Sequence, residues 1–430
     1  MGGIAALAKE AGHHVTGCDA NTYPPMSALL KDLGIGITDG YDPAQIDEAP
    51  DCILVGNAMT RGNPIIETML DRSIPYCSGP QWLAETVLRQ RHVMAISGTH
   101  GKTTVSSMLA WILQDAGLDP GFLVGGIPVN FGNSARLGIS KYFIVEADEY
   151  DTAFFDKRAK FVHYRPQTLV INNLEFDHAD IYEDLDEILW QFHQLMRTVP
   201  GNGRVIINSD DPNVEKLLNK GCWTHVERFS SSANADWTGR FVDSRGGRIS
   251  ISSKNAENGE SNWRMSGTHN LENAVAAVAA ANSAGVTISR AVDALSRFAG
   301  VKRRMERTAT VADIAIYDDF AHHPTAISRS IAGLKRLFPA KRIVVALEPR
   351  SNTMKMGVHW DSLAESLKNA DLVFIYRPGD MDESFDQCLA PLGRCLTIVE
   401  NYDELVRDME NKLLAGDHVI FMSNGGFGAS

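Results

Sequence analysis

Short apolar runs alternate with amphipathic stretches along most of this chain. The runs at 92–97, 142–146 and 168–172 are almost wholly apolar and predict strands buried on both faces of a sheet. The stretch 105–116 carries apolar residues at helical spacing and predicts a helix soon after the first of these strands. Such alternation is typical of α/β domains with a mainly parallel sheet.

The same pattern divides the 430 residues into three α/β regions, 1–90, 91–300 and 301–430. The first region is predicted to contain helix 3–11, strand 14–18, helix 25–33, strand 51–56 and helix 64–71. The second adds strands 204–208 and 249–253, a polar insertion or surface sheet at 231–262, and helix 271–284. The third is predicted as strand 311–317, helix 324–337, strand 342–347, helix 360–369, strand 371–376, helix 402–414 and strand 418–423.

Composition narrows the class of protein. The net charge of −12 argues against bulk nucleic-acid binding. No apolar run reaches the ~18 residues of a membrane helix, and no signal peptide is visible, so a cytoplasmic protein is expected. The six cysteines include no Cys-x-x-Cys pair, which favours reduced thiols over a disulfide frame or a zinc site. The chain opens with a glycine turn and a helix, so the strand that normally precedes such a turn is expected to be missing.

The most informative motif lies between strand 92–97 and helix 105–116. Its sequence is Gly98-Thr99-His100-Gly101-Lys102-Thr103-Thr104. In such a strand–loop–helix unit the loop N–H groups face phosphates, the lysine bridges their oxygens and a hydroxyl reaches Mg²⁺. Two residues separate the glycines instead of the usual four, so a plain glycine turn with a solvated lysine is the alternative. The flanking strand and helix favour an ATP site.

Acidic residues follow the strand at 142–146. Glu146 comes first after the apolar run, where nucleotide-hydrolysing enzymes hold Mg²⁺ with a carboxylate. For Asp148, Glu149 and Asp151 the alternative is a solvated acidic turn. Glu146 is therefore the best candidate for a metal ligand in this segment.

A polar cluster also follows the strand at 168–172. It contains Asn173, Glu175 and His178, and it is expected at the same sheet edge as Glu146. His178 is predicted to ligate a second metal or to orient phosphate, with a purely structural histidine as the alternative.

Further along, His269, Asn270 and Asn273 open the alanine-rich helix 271–284. The imidazole offers a stacking face for a base. The two amides lie on one helical face, where they either hydrogen-bond an adenine edge or cap the helix. Composition alone favours capping.

Three more segments place polar side chains after predicted strands. Asp319 and His323 belong to a group of two aspartates and two histidines that is too rich for a mere cap. Arg350 is suited to bidentate carboxylate binding, with an ordinary surface arginine as the alternative. Asp19 is placed to meet a ligand hydroxyl or base, although a cap or turn is the more favoured interpretation for a lone aspartate.

Together these residues resemble the Mur ligase family, whose ATP-dependent members join amino acids or peptides to UDP-N-acetylmuramate. The motifs that carry the resemblance are Gly98 to Thr104, Glu146-Ala-Asp-Glu149, Asn173-Leu-Glu-Phe-Asp-His178, His269-Asn270 with Asn273, Arg303-Arg304 and Asp318-Asp-Phe-Ala-His-His-Pro324. The resemblance spans essentially the whole chain. It implies a central P-loop ATPase domain with a mostly parallel sheet, a Rossmann-like UDP-substrate domain before it and a second Rossmann-like domain after it.

The resemblance also implies roles for individual residues. Lys102 would stabilise the γ-phosphoryl group, Thr103 and Glu146 would hold one Mg²⁺, and His178 a second. Adenosine would be seated by His269, Asn270, Asn273 and Asp319, and Arg304 would reach across on closure. Arg350, Asn352 and Lys355 would bind the carboxylates of the incoming peptide. The remaining substrate contacts are expected from Asp19, Asn57, Asn173, Glu175 and His323.

Within the family, further segments are similar to the recycling branch, which attaches the tripeptide L-Ala-γ-D-Glu-meso-diaminopimelate to UDP-N-acetylmuramate through an acyl phosphate. They are 19–27, 56–64, 150–158, 348–357 and 423–428. Two alternatives stay open, namely the branch that adds L-alanine and a nucleotide-binding regulatory ATPase without ligase activity. A monomer or weak dimer is expected.

One departure from the family pattern concerns the second metal. Several relatives carry a carbamylated lysine there, and no lysine occurs between Ile181 and Arg204. This lysine is also absent from the branch that adds L-alanine. His193 is expected to fill part of the space.

Overall fold

The computed structural model describes every residue except 23–25, 49, 180, 233, 256, 378, 380, 382 and 428–430. Parts of the segments 19–27 and 423–428 therefore lie outside the described residues. The chain forms an α/β structure in which separate sheets follow one another along the sequence. No described helix has the length and apolar character needed to cross a membrane.

The first region holds two small parallel sheets. Its elements are α1 (Gly2–Glu10), β1 (Thr16–Asp19), α2 (Met26–Asp32), β2 (Gly36–Asp39), β3 (Ile53–Val55), α3 (Pro64–Asp71), β4 (Tyr76–Ser78) and α4 (Gly79–Trp82). Strand β1 pairs with β2, and β3 pairs with β4. The sequence missed β2 and β4, which are strands of four and three residues with little apolar character.

The second region is built on one ten-stranded sheet. Its strands and helices are β5 (His92–Ser97), α5 (Lys102–Asp115), β6 (Gly121–Leu123), β7 (Ala135–Arg136), β8 (Tyr142–Glu146), β9 (Asp151–Ala153), β10 (Asp156–Ala159), β11 (Thr168–Ile171), α6 (Leu185–Met196), β12 (Arg204–Asn208), α7 (Pro212–Lys220), β13 (His225–Ser230), β14 (Trp237–Phe241), β15 (Arg248–Ser253), β16 (Asn258–Asn262), α8 (Thr268–Ser283) and α9 (Ile288–Leu295). The strand order is β16-β15-β14-β13-β12-β11-β5-β8-β6-β7, with β9 and β10 in a separate hairpin.

Strand β5 shows why the central sheet is mostly parallel. Its alternate residues Met94 and Ile96 pack into the core on one face, and Val93 and Ala95 pack into the core on the other. A strand covered on both faces is typical of parallel sheets, and β5 pairs in parallel with both β8 and β11. The carboxyl ends of these three strands therefore meet at one edge, where the polar motifs follow.

The polar stretch 231–262 joins the central sheet. Strand β14 pairs in parallel with β13, and β15 and β16 follow in antiparallel order, so the stretch is the end of the main sheet and forms no separate one. The apolar residues Ile249 and Ile251 lie on one face of β15, and both are buried. The sequence predicted strand 249–253 there, and the structure confirms it with one extra residue at its start.

The third region contains a six-stranded sheet in the order β17-β18-β22-β19-β20-β21. Its elements are β17 (Glu306–Val311), β18 (Ile314–Asp319), α10 (Pro324–Leu337), β19 (Ile343–Glu348), α11 (Asn352–Lys355), α12 (Trp360–Leu367), β20 (Leu372–Tyr376), α13 (Glu383–Leu389), β21 (Leu396–Val399), α14 (Tyr402–Lys412) and β22 (His418–Ser423). All its pairs are parallel except β17 with β18.

The predicted single strand 311–317 is wrong. Strands β17 and β18 form a hairpin that turns at Ala312 and Asp313, whose φ angles are 49° and 61°. A two-residue turn of type I′ has positive φ at both positions, and a dipeptide such as Asn-Gly or Asp-Gly normally supplies it. Asp313 is followed by isoleucine, so the sequence carries no such dipeptide.

One partly exposed carboxylate in the first region makes the stability of the fold depend on pH. Glu67 on α3 accepts hydrogen bonds from Arg61 Nη2 at 2.8 Å and from the Gly62 N–H at 2.6 Å. These bonds lower the pKa of Glu67 from 4.5 to about 2. The folded pKa lies below the unfolded one, so the stabilisation is present above pH 4.5 and is lost as the pH falls towards 2.

We therefore expect Glu67→Gln to lower the midpoint of thermal unfolding at pH 7. The difference from the wild type should shrink as the pH falls from 4.5 towards 2, because the wild-type carboxylate is then protonated as well. Differential scanning fluorimetry between pH 7 and pH 2 measures this difference in midpoint. Glu410→Gln, at an exposed position of α14, is the control. A deficit that is independent of pH would contradict the assignment.

Candidate active site

The glycine loop joins β5 to α5 at the edge of the central sheet. Gly98 has φ of 126°, and a Cβ there would lie 2.9 Å from the backbone N and O of Asn173. Gly101 has φ of 83°, and its Cβ would lie 2.5 Å from side-chain atoms of Asn172 and Asn273. Both positions therefore require glycine. The loop presents the N-terminus of α5 to solvent space, a geometry that suits anions.

Lys102, in the first turn of α5, is held by a buried carboxylate. Its Nζ donates to Glu149 Oε2 at 2.9 Å and to the Gly98 carbonyl at 2.7 Å. The side chains of Lys102 and Glu149 are only 12% and 3% exposed. Burial alone would lower the pKa of Lys102, but the carboxylates of Glu149 and Asp148 outweigh it and raise the pKa. Glu149 is therefore a buried ion-pair partner, and the alternative of a solvated turn is wrong for it.

Glu149 also holds His178. His178 Nε2 lies 3.2 Å from Glu149 Oε1, and its backbone adopts a φ of 58°. Burial would lower the pKa of His178, but the hydrogen bond and charge of Glu149 raise it. The Tyr182 hydroxyl donates to the Glu149 carbonyl, which fixes the backbone of this acidic residue. One carboxylate thus bridges the loop lysine and the histidine that follows β11.

Glu146 stands beside Thr103 on the same sheet edge. Thr103 Oγ1 donates to Glu146 Oε1 at 2.9 Å, and the Gly125 N–H donates to Oε2 at 2.6 Å. From the third region, Arg304 Nη2 reaches within 3.3 Å of Thr103 Oγ1. The hydroxyl and carboxylate oxygens are the donor type that Mg²⁺ prefers, so this pair fits the ion.

The residues that open α8 make side-chain networks. Asn270 Nδ2 donates to the Ser266 carbonyl, and Asn273 Nδ2 donates to Asn270 Oδ1. Asn172 in turn donates to Asn273 Oδ1. The N-cap of α8 is Gly267, with no side-chain cap, so the asparagines do not cap the helix as composition favoured.

His269 and Asp319 are buried titratable groups near these amides. Burial lowers the pKa of His269 to about 3, so its imidazole is neutral. Burial raises the pKa of Asp319, whose Oδ2 accepts from Ser330 Oγ at 2.6 Å.

Glu175 connects the glycine loop to the third region. His100 Nε2 lies 3.2 Å from Glu175 Oε2, and Thr325 Oγ1 donates to the same oxygen at 2.7 Å. Burial opposes ionisation, but these hydrogen bonds lower the pKa of Glu175 to about 2. His323 Nδ1 lies 3.6 Å from the same carboxylate and caps α10 by accepting from the Thr325 N–H. Burial lowers the pKa of His323 to about 3.

A cavity of about 490 Å³ lies between the central and third regions. The sequence-predicted residues that line it are Thr99, His100, Gly101, Lys102, Thr103, Thr104, Glu146, Asn173, His178, His269, Asn270, Asn273, Arg304, Asp319, His323, Arg350 and Asn352. Gly98 and Glu175 are not among the lining residues, although the Glu175 carboxylate contacts His100, which is. Asp19, Asn57 and Lys355 do not line it, and the first two belong to the first region.

Several lining residues escaped the sequence analysis. Asp177 accepts from Thr353 Oγ1 at 3.2 Å, a contact between the segment after β11 and α11. Arg329 and Phe320 also line the cavity. Asp177 and Phe320 sit inside motifs already singled out, whereas Arg329 lies one helical turn beyond Pro324 and has no local signal. His193 packs against Trp223 and is not among the lining residues, so it does not fill the space of a lysine at the metal site.

The whole arrangement matches the sequence profiles of one family. The profile of the Mur ligase middle domain matches residues 96–281, that of the Mur ligase glutamate ligase domain matches 303–425, and that of the Mur ligase family catalytic domain matches 1–91. This chain belongs to the Mur ligase family. It is an ATP-dependent ligase, which removes the alternative of a regulatory ATPase without ligase activity.

Individual relatives extend over nearly the whole chain. The UDP-N-acetylmuramate–L-alanyl-γ-D-glutamyl-meso-2,6-diaminoheptandioate ligase of Escherichia coli K12 is 47% identical over 433 residues, covering 100% of this chain and 93% of its own. The UDP-N-acetylmuramate–L-alanine ligase of Psychrobacter sp. PRwf-1 is 30% identical over 443 residues, covering 100% and 91%. A crystal structure of a murein peptide ligase from Psychrobacter arcticus 273-4 is 45% identical, with a TM-score of 0.78 over 99% of this chain and 94% of that one.

Removal of Glu149 tests its bridging position. Glu149→Ala would leave the charges of Lys102 and His178 buried without their shared partner, at a cost of about 3–5 kcal/mol of unfolding free energy. Urea denaturation at pH 7 measures this loss. Asp151→Ala is the matched control, because Asp151 pairs with the 70%-exposed Lys157 and its loss should cost less than about 1 kcal/mol. Equal small effects from both substitutions would contradict the bridge.

Proposed function

We propose that this ligase joins the tripeptide L-Ala-γ-D-Glu-meso-diaminopimelate to UDP-N-acetylmuramate at the expense of ATP. The observation that carries the proposal is one cavity that holds both the glycine loop and Arg350, a cation suited to a peptide carboxylate. The greater similarity to the tripeptide-adding relative than to the L-alanine-adding relative supports the choice of substrate. The nucleotide-linked substrate and ATP make the cytoplasm the proposed compartment.

The proposed reaction has two steps. The lactyl carboxylate of UDP-N-acetylmuramate attacks the γ-phosphorus of ATP, so that a P–O bond forms, ADP leaves and an acyl phosphate results. The α-amine of the tripeptide then attacks the acyl carbon, phosphate leaves, and the amine loses a proton to give the amide. The protein supplies position and charge and takes no covalent part.

Charge neutralisation falls to residues around the glycine loop. Lys102 keeps a full positive charge because neighbouring carboxylates raise its pKa, so it can bind the γ-phosphoryl oxygens in place of Glu149. Thr103 and Glu146 would hold one Mg²⁺, and His178, in its neutral form, a second. When bound, these ions supply Lewis-acid charge to the phosphoryl oxygens.

Nucleoside and closure contacts come from two regions. His269 is neutral and offers its ring face to adenine, while Asn270 and Asn273 present amides along one wall. Asp319 also lines the cavity. Arg304, already within hydrogen-bonding distance of Thr103, closes the third region over the phosphates.

Substrate carboxylates and the sugar nucleotide take the remaining positions. The side chain of Arg350 is 52% exposed and faces the cavity, and Asn352 follows it in the first turn of α11. Lys355 lies on the same short helix. The UDP-N-acetylmuramate contacts are proposed for Asn173, Glu175 and His323 near the loop, and for Asp19 and Asn57 in the first region.

Phosphate release from ATP tests the substrate. With UDP-N-acetylmuramate present, we expect release and a ligated product mass with the tripeptide and background release with L-alanine. The two amines are offered separately, and omission of UDP-N-acetylmuramate is the control. Release with L-alanine alone would transfer the chain to the L-alanine branch. Release that ignores the sugar nucleotide would contradict ligation altogether.

Two substitutions separate the two halves of the cavity. Lys102→Ala should lower kcat by about 10²–10³-fold, because a fixed cation at the developing phosphoryl charge is lost.

Arg350→Ala should raise the KM for tripeptide about 10-fold or more, because a charge-assisted hydrogen bond is worth roughly 1.5–3 kcal/mol. Steady-state kinetics measures both, with Arg350→Lys as the charge-preserving control. Arg350→Ala with an unchanged KM for tripeptide would contradict its role.

A further inference from the structure

Three side chains from separate elements point their ligand atoms at one another beside the cavity. His100 belongs to the glycine loop, Glu175 to the segment after β11, and His323 to the start of α10. One nitrogen or carboxylate oxygen from each lies within 4.8 Å of the other two. Across the described ranges, no other trio of histidine, cysteine, aspartate or glutamate has this arrangement.

The separations suit a tetrahedral ion. Ligand bonds of about 2.0–2.1 Å at a tetrahedral angle place neighbouring donor atoms roughly 3.3 Å apart. His100 Nε2 lies 3.2 Å from Glu175 Oε2, and His323 Nδ1 lies 3.6 Å from the same oxygen. Two of the three separations therefore lie near the ion's requirement. Nδ1 of His323 has one lone pair, so its bond to the ion would replace the hydrogen bond that it accepts from the Thr325 N–H at 3.3 Å.

Burial strengthens the case for a ligand. The side chain of His323 is 8% exposed, and its second nitrogen, Nε2, has no hydrogen-bond partner. The ring of His359 packs 4.4 Å from that of His323, and its Nε2 is likewise buried without a partner. Burial keeps the His323 imidazole neutral, and a neutral ring nitrogen is the form that binds an ion.

We propose that His100, Glu175 and His323 form a site for a divalent zinc-class ion, distinct from the Mg²⁺ ligands. Two imidazoles and one carboxylate favour such an ion, whereas Mg²⁺ requires mostly oxygen donors. None of the three residues belongs to the set Thr103, Glu146 and His178. Glu175 and His323 are also the proposed contacts of UDP-N-acetylmuramate, so the ion and that substrate would compete for them. The bound ion would tie the glycine loop to α10 and so lock the central and third regions together, which makes it an inhibitory clamp on turnover.

Binding of Zn²⁺ and Co²⁺ to chelator-stripped full-length protein tests the site without any substrate. We expect one ion per chain in competition with a chromophoric chelator, and the visible absorption of four-coordinate Co²⁺. Millimolar Mg²⁺ should displace neither ion. Occupancy should also raise the midpoint of thermal unfolding, because only the folded chain brings the three ligands together.

Two substitutions remove ligands while keeping the local fold. His323→Asn preserves a favoured helix cap, and Glu175→Gln preserves the shape of the side chain. Each should raise the Kd for Zn²⁺ at least about tenfold. The matched control is His163→Asn, which removes a similarly buried histidine that lies 3.1 Å from Asp156 but belongs to no such trio among the described residues.

Failure of the ion site can be told apart from failure of the proposed ligase function, because ion binding is measured without turnover. Saturable binding lost in both ligand variants and kept in His163→Asn supports the site. Binding that survives Glu175→Gln and His323→Asn, or no saturation below millimolar Zn²⁺, overturns it. Inhibition of phosphate release by Zn²⁺ that is reversed by chelation supports the clamp, and undiminished release at full occupancy overturns it.

Discussion

A buried ammonium is the constraint on which the site depends. In the proposed mechanism Lys102 binds phosphate and must keep its charge, yet it lies at the end of a sheet covered on both faces, where an unpaired cation is costly. Glu149 supplies the opposite charge and ties it to His178, and Tyr182 holds the backbone of that carboxylate. The lysine is thus charged and positioned before any nucleotide arrives, with a partner that phosphate can replace.

The sheet topology brings these charges together. Strands β5, β8 and β11 run parallel and end at one edge, so the glycine loop, Glu146 and the segment carrying His178 meet there. The third region has the same arrangement. Strands β18 and β19 both run parallel to β22, which lies between them, so Asp319 at the end of β18 and Arg350 after β19 are at the same sheet edge. The two sheet edges face one cavity, where the proposed function places the nucleotide and the peptide in line.

Local signals in the sequence were sufficient to predict many of the helices and strands. Helix 324–337 was predicted with the bounds that α10 has, because Pro324 marks its first turn and apolar residues follow at helical spacing. The buried ion pair of Glu149 was not predicted, since it depends on Lys102, 47 positions earlier, and a solvated turn stayed open as the alternative. The hairpin of β17 and β18 was not predicted for another reason. Ala312 and Asp313 adopt positive φ, and neither of them is glycine or asparagine. Long-range pairing and backbone strain are what periodicity cannot show.

The central claim is that phosphate replaces Glu149 as the partner of Lys102. The most direct measurement is a crystal structure of the chain with Mg²⁺ and a non-hydrolysable ATP analogue. The account predicts Lys102 Nζ within hydrogen-bonding distance of the β- and γ-phosphate oxygens, with Arg304 on the opposite side and adenine against His269. A triphosphate bound elsewhere, with Lys102 still paired to Glu149, would contradict it.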